Sequence, residues 1–324
     1  MLKSINLKTA VVALALGGLI AAPVTSQAGT ETKKASKNVI EETKTSCITG
    51  DLGINFVSEY ISRGLVEQNQ GVIAQPYADI YFRLYKGDGA INNVTLQLGG
   101  WSSLQSHRND SIYSPGNYSG NGVKSWFEFD YTAAVAVTFL KNWTSTLSYI
   151  EADYPSDQFE ANRNLQLGLA FNDADYLGVF ALHPHFNVLY ELNTNSSGAA
   201  GIKKGGWYYE LGVAPSYTFL KDSKYPITAT LPITVGFGDS NGFYGGNYSG
   251  NNIYGYFTTG LNASVPLAFI PSCYGAWTTN AGFNYYNLGT SAQQYSGSGT
   301  GSVTGATSGA ANQWVFSGGI GMTF

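Results

Sequence analysis

The 324-residue sequence has few charged side chains, three histidines, two cysteines and no long apolar run after its first 30 residues. A membrane-spanning helix needs about 20 consecutive apolar residues, so the sequence excludes a helical membrane protein. It also lacks a cluster of basic residues that could neutralise nucleic-acid phosphates, which excludes a nucleic-acid partner. Two large functional classes are thereby removed.

Residues that carry catalytic chemistry are equally sparse. His107 lies in a predicted long loop, and His183 and His185 flank Pro184 without a cluster of Cys, Asp or Glu at metal-ligand spacing. The sequence contains neither a G-x-S-x-G nucleophile motif nor a phosphate-binding loop with its lysine. We therefore expect no enzymatic activity, no cofactor and no metal site.

The first 28 residues have the features of a secretory signal peptide. Lys3 and Lys8 precede an apolar run from Ala10 to Ala22, and small residues follow at Ser26 and Ala28. The alternative is a short membrane anchor, but the run is too short to cross a bilayer comfortably. We predict a signal peptide over 1–28, a polar periplasmic tether over 29–50 and a single folded domain over 51–324.

The composition of the exported chain favours an all-β protein. The full sequence has 40 glycines and 23 tyrosines, and removal of Lys3 and Lys8 with the signal peptide leaves 15 basic residues against 21 acidic ones. An α/β enzyme would need long blocks of helix-forming Ala, Leu, Glu and Lys, which this sequence does not have.

From Asp51 to the last residue, apolar and polar side chains alternate with a period of two, as in strands that have two different faces. Twelve such segments can be defined. They are 51–63, 72–85, 91–102, 124–139, 143–153, 163–171, 185–193, 207–219, 227–238, 254–265, 275–288 and 313–324. Most are long enough to cross a bilayer as a tilted strand, which takes about 9–11 residues.

The connections between these segments alternate in length. Short ones, such as 86–89 and 140–142, alternate with long ones rich in Gly, Ser, Asn and Tyr, and 172–184 is an extended exception. The long connections are 103–122, 193–206, 239–253 and 289–312. This layout predicts a single antiparallel transmembrane β-barrel of about 12 strands, with short periplasmic turns and long extracellular loops.

Aromatic residues near the ends of the apolar faces support a membrane barrel over a soluble exported β-sandwich, because they would form girdles at the level of the lipid headgroups. Examples are Phe127, Phe139, Trp207 and Phe219. The terminal Phe324 resembles the signal by which the barrel assembly machinery recognises its substrates. We therefore expect localisation in the cell outer membrane, in contact with its lipid and lipopolysaccharide.

The charged residues of the clear segments all fall on the polar face, where we predict that they line the lumen. They are Glu59, Arg63, Asp79, Arg83, Glu128, Asp130, Glu191 and Glu210. Glu59 and Arg63 are four residues apart on one predicted strand, so their Cα atoms are about 13 Å apart and the two side chains are not expected to pair. Partners on the neighbouring strand are expected instead: Arg83 for Glu59, or Asp79 for Arg63. These charges either stiffen the wall or form a constriction that selects solutes.

The stretch that begins with Val57, Ser58, Glu59 and Tyr60, continues through Arg63 and Gly64, and reaches Pro76 resembles the opening strands of the TorF-like porin family of Gram-negative bacteria. The segment "WYYELGVAPSYTF" is similar to a later strand of that family. The resemblance implies an exported outer-membrane barrel of unspecified substrate.

Cys47 precedes the first segment and Cys273 lies in the turn between the tenth and eleventh, so both are expected on the periplasmic side. A disulfide between them is possible because the last strand must close beside the first; two free thiols are the alternative.

The function predicted from these observations is that of a porin-like channel for passive diffusion of small hydrophilic solutes. Six acids against two arginines predict a mild preference for cations or neutral solutes. The alternatives are a non-transporting structural or surface-binding barrel, and a soluble exported β-sandwich.

Overall fold

The computed structural model describes residues 46–106, 125–155, 161–193, 204–239, 243–244, 253–297 and 310–324. The predicted signal peptide, most of the predicted tether and His107 lie outside these residues. Within them, no helix has the length and apolar character needed to cross a membrane.

The described chain consists almost entirely of β-strands. The strands are β1 (Ile48–Val57), β2 (Tyr60–Ser62), β3 (Leu65–Gln68), β4 (Ile73–Lys86), β5 (Ile91–Gln105), β6 (Trp126–Phe139), β7 (Trp143–Asp153), β8 (Asn162–Phe171), β9 (His185–Asn193), β10 (Trp207–Val213), β11 (Ser216–Phe219), β12 (Ile227–Thr230), β13 (Ile233–Gly238), β14 (Tyr254–Pro266), β15 (Ala276–Leu288) and β16 (Asn312–Thr323). Two short helices are α1 (Ala174–Leu177) and α2 (Thr290–Gly297).

The wall of the barrel is a closed antiparallel sheet. β1 pairs with β4 on one side and with β16 on the other, so that Asp51 faces both Asp79 and Thr323. Two wall strands are each divided by a proline, which cannot donate a ladder hydrogen bond: β10 and β11 at Pro215, and β12 and β13 at Pro232. Counted this way, the described chain forms a closed barrel of twelve wall strands, and the predicted fold class is confirmed.

The two faces of the wall have opposite character, because successive side chains of a strand point to opposite sides. Large apolar side chains are exposed on the outside, among them Leu52, Leu98, Leu147, Leu167 and Leu211. Polar side chains are buried on the inside, among them Asn55, Gln75, Ser148, Gln166 and Asn262. An apolar band of this extent is suited to the hydrocarbon core of a bilayer.

The connections sort to the two ends of the barrel as predicted. One end carries the start of β1, the end of β16 and five connections: 87–90, 140–142, 172–184, 220–226 and 267–275. The other end carries six connections: 58–72, 106–125, 154–161, 194–206, 239–253 and 289–311. In outer-membrane barrels, the end with the termini is periplasmic and the end with the long loops is extracellular.

The first predicted wall strand is wrong in its second half. β1 begins at Ile48, three residues inside the predicted tether, and ends at Val57. The chain then turns at Arg63 and Gly64, which have φ angles of 49° and 82°. β2 and β3 pair only with each other, and they fold into the lumen. Arg63 therefore lies in a turn and not on the wall.

The phase at the start of β6 is also corrected. Ser103 faces Glu128 and Leu104 faces Trp126, so that Phe127 is an extra residue in a β-bulge. The bulge leaves Trp126 exposed on the outside and turns Phe127 into the buried interior, opposite to the predicted orientation.

Cys47 and Cys273 lie at the same periplasmic rim, but they are free and exposed, and the predicted disulfide is not formed. Cys47 lies four residues before Asp51, and Cys273 three residues before Ala276; both Asp51 and Ala276 pair with Thr323. The strand β16 thus separates the two chain segments by about 10 Å, and Cα atoms more than about 7 Å apart cannot be bridged without backbone movement.

Candidate functional site: the lumen and its inserted hairpin

The extracellular half of the lumen is filled by the segment Ser58–Val72, which we call the plug hairpin. Its apolar side chains Tyr60, Ile61, Leu65 and Val66 are buried in one cluster with side chains from the wall. Tyr60–Ile61 and Leu65–Val66 flank the turn at Gly64, so the sequence folds locally into a two-stranded hairpin with apolar sides.

The plug hairpin crosses the lumen from one wall to the opposite one. Its two ends continue into β1 and β4, whereas its tip lies against β10 and β14. β10 is six places round the twelve-strand ring from β4. A segment that reaches from wall to wall in this way obstructs the passage.

The first strand of the hairpin is fixed at Tyr60. The Tyr60 hydroxyl donates a hydrogen bond of 2.9 Å to Glu128 Oε2, and both residues are buried. The Tyr60 ring lies 5.3 Å from that of Trp101 and 6.4 Å from that of Phe127. The bulge that turns Phe127 inward thus supplies part of the surface on which the hairpin packs.

The second strand is fixed at Gln68, which is fully buried. Its Nε2 donates to Gln105 Oε1 on β5 at 3.0 Å. Its Oε1 accepts hydrogen bonds from the backbone N–H groups of Asn69 and Gln70, both at 2.9 Å. A single amide therefore links the hairpin to the wall and closes the bend that follows β3.

The tip is held by tyrosines from two sides. The Tyr244 hydroxyl donates to the Arg63 carbonyl oxygen at 2.6 Å. Gly64 lies against the ring of Tyr256, where a Cβ atom would be 2.8 Å from a ring carbon. Only a glycine has both the positive φ and the space that this contact requires.

The wall beneath the tip contains a hydrogen-bonded carboxylate. Glu210 Oε2 accepts from the hydroxyls of Tyr208 at 2.7 Å and Tyr256 at 2.8 Å, and Oε1 accepts from Asn187 Nδ2 at 3.0 Å. Three donors satisfy this buried acid, so it serves to position Tyr256.

The charge of Arg63 is compensated by other acids. Arg63 is partly buried, and the carboxylates that interact most strongly with its charge are Glu191 on β9 and then Asp130 on β6. Glu191 is itself fully buried on the lumen face. The predicted pairing of Arg63 with Asp79 is wrong. Asp79 pairs across the wall with Asp51, which lies six residues before the extracellular end of β1 at Val57. The carboxylate of Asp79 instead accepts a hydrogen bond from Gln97.

The predicted pairing of Glu59 with Arg83 is wrong as well. Val57 and Ile73 pair at the extracellular end of β1 and β4, and Glu59 comes two residues after Val57. Ile48 and Phe82 pair at the periplasmic end, and Arg83 comes one residue after Phe82. The Arg83 guanidinium donates to the Ser46 carbonyl at the periplasmic rim. Face assignments alone could not give this separation along the barrel axis.

Two further extracellular segments cover the hairpin. Phe243 and Tyr244, between β13 and β14, are both buried in the same cluster. α2 packs against β3 and β14, with Ala292 fully buried. The hairpin is thus enclosed by the wall and by segments from two loops.

Below the plug hairpin, the lumen wall pairs polar side chains with glycines. Asn55 faces Gly319, Asn262 faces Gly282, Asn284 faces Gly260, Asn187 faces Gly168 and Asp79 faces Gly99. A Cβ atom at any of these glycines would meet a side-chain oxygen of its partner. The polar side chains therefore lie along the wall over the glycines, which keeps them out of the axis.

A cross-strand ion pair lies on the outer face of the wall. The sequence pattern of the clear segments placed charged residues only on the lumen face, so this pair was not predicted. Arg163 donates to Glu151 Oε1 at 2.9–3.0 Å, and Tyr149 donates to Glu151 Oε2 at 2.7 Å. The pair occupies the extracellular end of β7 and β8. Near the interface a charge costs only about 0–1 kcal/mol, against about 2–4 kcal/mol for a basic side chain at the midplane.

The site residues predicted from the sequence thus divide into three groups. Glu59 and Arg63 belong to the plug hairpin, and Arg83 belongs to the periplasmic rim. The others lie on the lumen face of the wall: Asp79, Glu128, Asp130, Glu191 and Glu210. Sequence reasoning missed Asp51 and the tyrosines 208, 244 and 256, since the phase of a strand does not show which side chains meet across a lumen.

Histidines do not form a metal centre in the part of the chain that the structure describes, where no group of three or more His, Cys, Asp or Glu could hold an ion. His183 lies 3.8 Å from Asp173 in a periplasmic turn. His185 faces the lumen, next to Gly212.

Neither a family model nor a curated protein matches the chain, so the resemblance to TorF-like porins stays a prediction. Three solved structures to which it is similar can be named. They are the COG4313 outer membrane channel from Pseudomonas putida F1 (9% identity, 90% of this chain and 100% of that one, TM-score 0.45), the β domain of the Bordetella autotransporter BrkA (11%, 85% and 99%, 0.39) and the outer membrane channel DcaP of Acinetobacter baumannii (10%, 86% and 96%, 0.35).

Proposed function

We propose that this protein is an outer-membrane channel for passive diffusion of small hydrophilic solutes, and that the plug hairpin holds it closed. The observation that carries the proposal is the hairpin itself. β2 and β3 form their own two-stranded sheet and share no ladder with the twelve wall strands. Residues 60–70 can therefore leave the lumen while Ser58 and Val72 keep their backbone hydrogen bonds to Phe316 and Ser106.

The size of the barrel supports a controlled passage. Eight-stranded barrels have interiors just filled by side chains, and barrels of 16–18 strands leave open aqueous channels. Twelve strands enclose an intermediate lumen, in which one inserted segment suffices for closure. The glycines opposite Asn55, Asn262 and Asn284 save space along the path below the hairpin.

The lining supports neutral solutes and small cations as cargo. Below the hairpin, the wall presents mainly amides and hydroxyls. Its acids Asp51 and Asp79 face each other directly, with Tyr81 and Gln97 as hydrogen-bond donors. Arg83 lies at the exit, where it donates to a backbone carbonyl. A path with acids inside and its arginine at the rim disfavours anions.

We expect planar-bilayer recordings in a KCl gradient to give a reversal potential on the cation side. Replacement of both Asp51→Asn and Asp79→Asn should move that potential toward zero, because the double variant removes the facing carboxylates. Asp88→Asn in an exposed periplasmic turn is the matched control and should change nothing. Anion selectivity of the unaltered protein would contradict the assignment.

Localisation is tested separately from transport. We expect the protein to be recovered with the outer membrane and to migrate faster on gels before heating than after, as a closed barrel resists detergent unfolding. Recovery in the soluble periplasmic fraction would favour the alternative of a soluble exported protein. Phe324 exchanges both backbone hydrogen bonds with Gly50 while its side chain stays exposed, which supports a role for it in recognition by the assembly machinery.

The second candidate is a barrel that does not transport and serves as a structural or surface-binding protein. The specific observation in its favour is the burial of the hairpin tip under Phe243 and Tyr244. A correctly folded barrel that conducts in no condition, including after removal of the hairpin, would support this candidate.

A further inference from the structure

We propose that the periplasmic segment 172–184 is a membrane anchor that lies in the inner leaflet of the bilayer surrounding the barrel. The segment connects β8 to β9 and contains α1 followed by a short 3₁₀ turn, Gly178–Phe180. It plays no part in the lumen, and the inference rests on the barrel architecture and not on the proposed transport.

The segment exposes a contiguous set of apolar side chains. Tyr176, Leu177, Val179 and Phe180 are exposed to 73%, 46%, 52% and 78%, and Leu182 to 44%. The stretch of seven residues 176–182 holds all five of them. A patch of this kind is unfavourable in water and marks a surface that contacts another apolar phase.

The patch continues the lipid-facing surface of the wall. Trp143 and Phe171 face each other across β7 and β8 on the outer side, with ring centroids 4.6 Å apart. The ring of Tyr176 lies 5.8 Å from that of Phe171. An unbroken row of aromatic rings thus runs from the outer wall onto α1, which places the segment beside the barrel and not beneath its lumen.

The segment is held in this conformation by polar contacts on its protein side. The Asp173 carboxylate accepts hydrogen bonds from the backbone N–H groups of Leu182 at 2.9 Å and His183 at 2.9 Å. Asn142 Nδ2 donates to the Asn172 carbonyl at 2.8 Å and to Asp175 Oδ2 at 3.2 Å. Burial raises the pKa of Asp173, but the hydrogen bonds from the two N–H groups lower it by more. The pKa of Asp173 therefore lies below its ordinary value.

Lipid is favoured over a protein partner because the same exposure recurs around the rim. Leu140, Leu220, Phe269 and Tyr274 lie in three other periplasmic turns and are all more than 60% exposed. A protein partner would cover one patch, whereas lipid surrounds the barrel on every side.

Cations at the same level fit a lipid headgroup region. Lys221 Nζ lies 5.1 Å from the centroid of the Tyr217 ring, and Lys224 Nζ lies 5.6 Å from that of Tyr225. Amphipathic side chains of this kind place their stems in the apolar phase and their charges beside phosphates.

The anchor can be tested by spin labelling in phospholipid liposomes. In a background with Cys47→Ser and Cys273→Ser, a nitroxide is attached at Phe180→Cys, at Leu167→Cys in the outer wall and at Asp88→Cys in an exposed turn. All three positions are exposed in the structure, so labelling leaves the packing of the barrel unchanged. We expect the label at 180 to collide with oxygen more than with a water-soluble nickel complex, like the label at 167, and the label at 88 to show the reverse.

Two results would overturn the proposal. If the nickel complex reaches the label at 180 as readily as the label at 88, the segment lies in water. Protection of the label at 180 from both reagents would show that protein covers it, in the form of a second copy or a periplasmic partner.

Discussion

A variant in which residues 60–70 are replaced by a short glycine–serine linker is expected to be open for most of the time, where the unaltered protein opens rarely. Val57 and Ile73 face each other at the ends of β1 and β4, so a short linker can join them without strain. Ser58 is retained because its backbone N–H and its hydroxyl oxygen bond to Phe316 on β16. Mean current in planar bilayers and swelling of liposomes in sugar solutions are the measurements.

The control for this variant is insertion of the same linker in the periplasmic turn 87–90, which should leave the closed state unchanged. Heat-modifiable migration of both variants shows that the barrel has formed. If the hairpin variant forms and still conducts no better than the unaltered protein, then Phe243, Tyr244 and α2 close the lumen without the hairpin, and the assignment of Ser58–Val72 as the plug is wrong.

Most of the wall could be predicted from the sequence because lipid on one side and a polar lumen on the other impose strict alternation on every strand. The predicted segments from 72–85 onward match the observed strands within about three residues at each end. The neighbours of each wall strand then follow from the order of the strands along the chain. This success rests on one strong physical contrast, repeated twelve times.

That contrast alone could not separate the plug hairpin from β1, because Glu59 and Arg63 continue the alternation of β1 and fall on its lumen-facing side. A different signal was present. Tyr60–Ile61 and Leu65–Val66 are pairs of adjacent apolar residues, which a wall strand with one wet face does not accommodate. With Gly64 between them, these pairs indicate a hairpin that is buried on both sides.

The inward turn of Phe127 and the partners of the buried charges were beyond the reach of the pattern for a different reason. A bulge shifts the phase by one residue, and the sequence on either side still alternates. Likewise, the alternation along β4 places Asp79 and Arg83 on the correct face. Which side chains meet across the lumen depends, in addition, on how far each strand is displaced along the barrel axis.

The electrostatic hold on the hairpin leads to the second large expected effect. Arg63→Gln should shift the equilibrium toward the open state, because Glu191 is fully buried and would lose the positive charge that offsets its own. An interaction of about 1.4 kcal/mol between charges that are not in direct contact corresponds to an increase of about 10-fold in the ratio of open to closed channels. Open probability in planar bilayers measures this ratio.

A double-mutant cycle distinguishes this hold from the general loss of a packed side chain. Glu191→Gln alone should also favour opening, since Asp130 is then the main acid left for Arg63. The double variant Arg63→Gln with Glu191→Gln should open less than the two single effects predict, by about 1 kcal/mol, because neither charge is left alone in the lumen. Arg83→Gln at the rim is the matched control and should have no such coupling with Glu191→Gln. Strict additivity of the Arg63 and Glu191 effects would mean that the hairpin is held by Tyr60, Gln68 and Tyr244, and that the buried charges do not set the closed state.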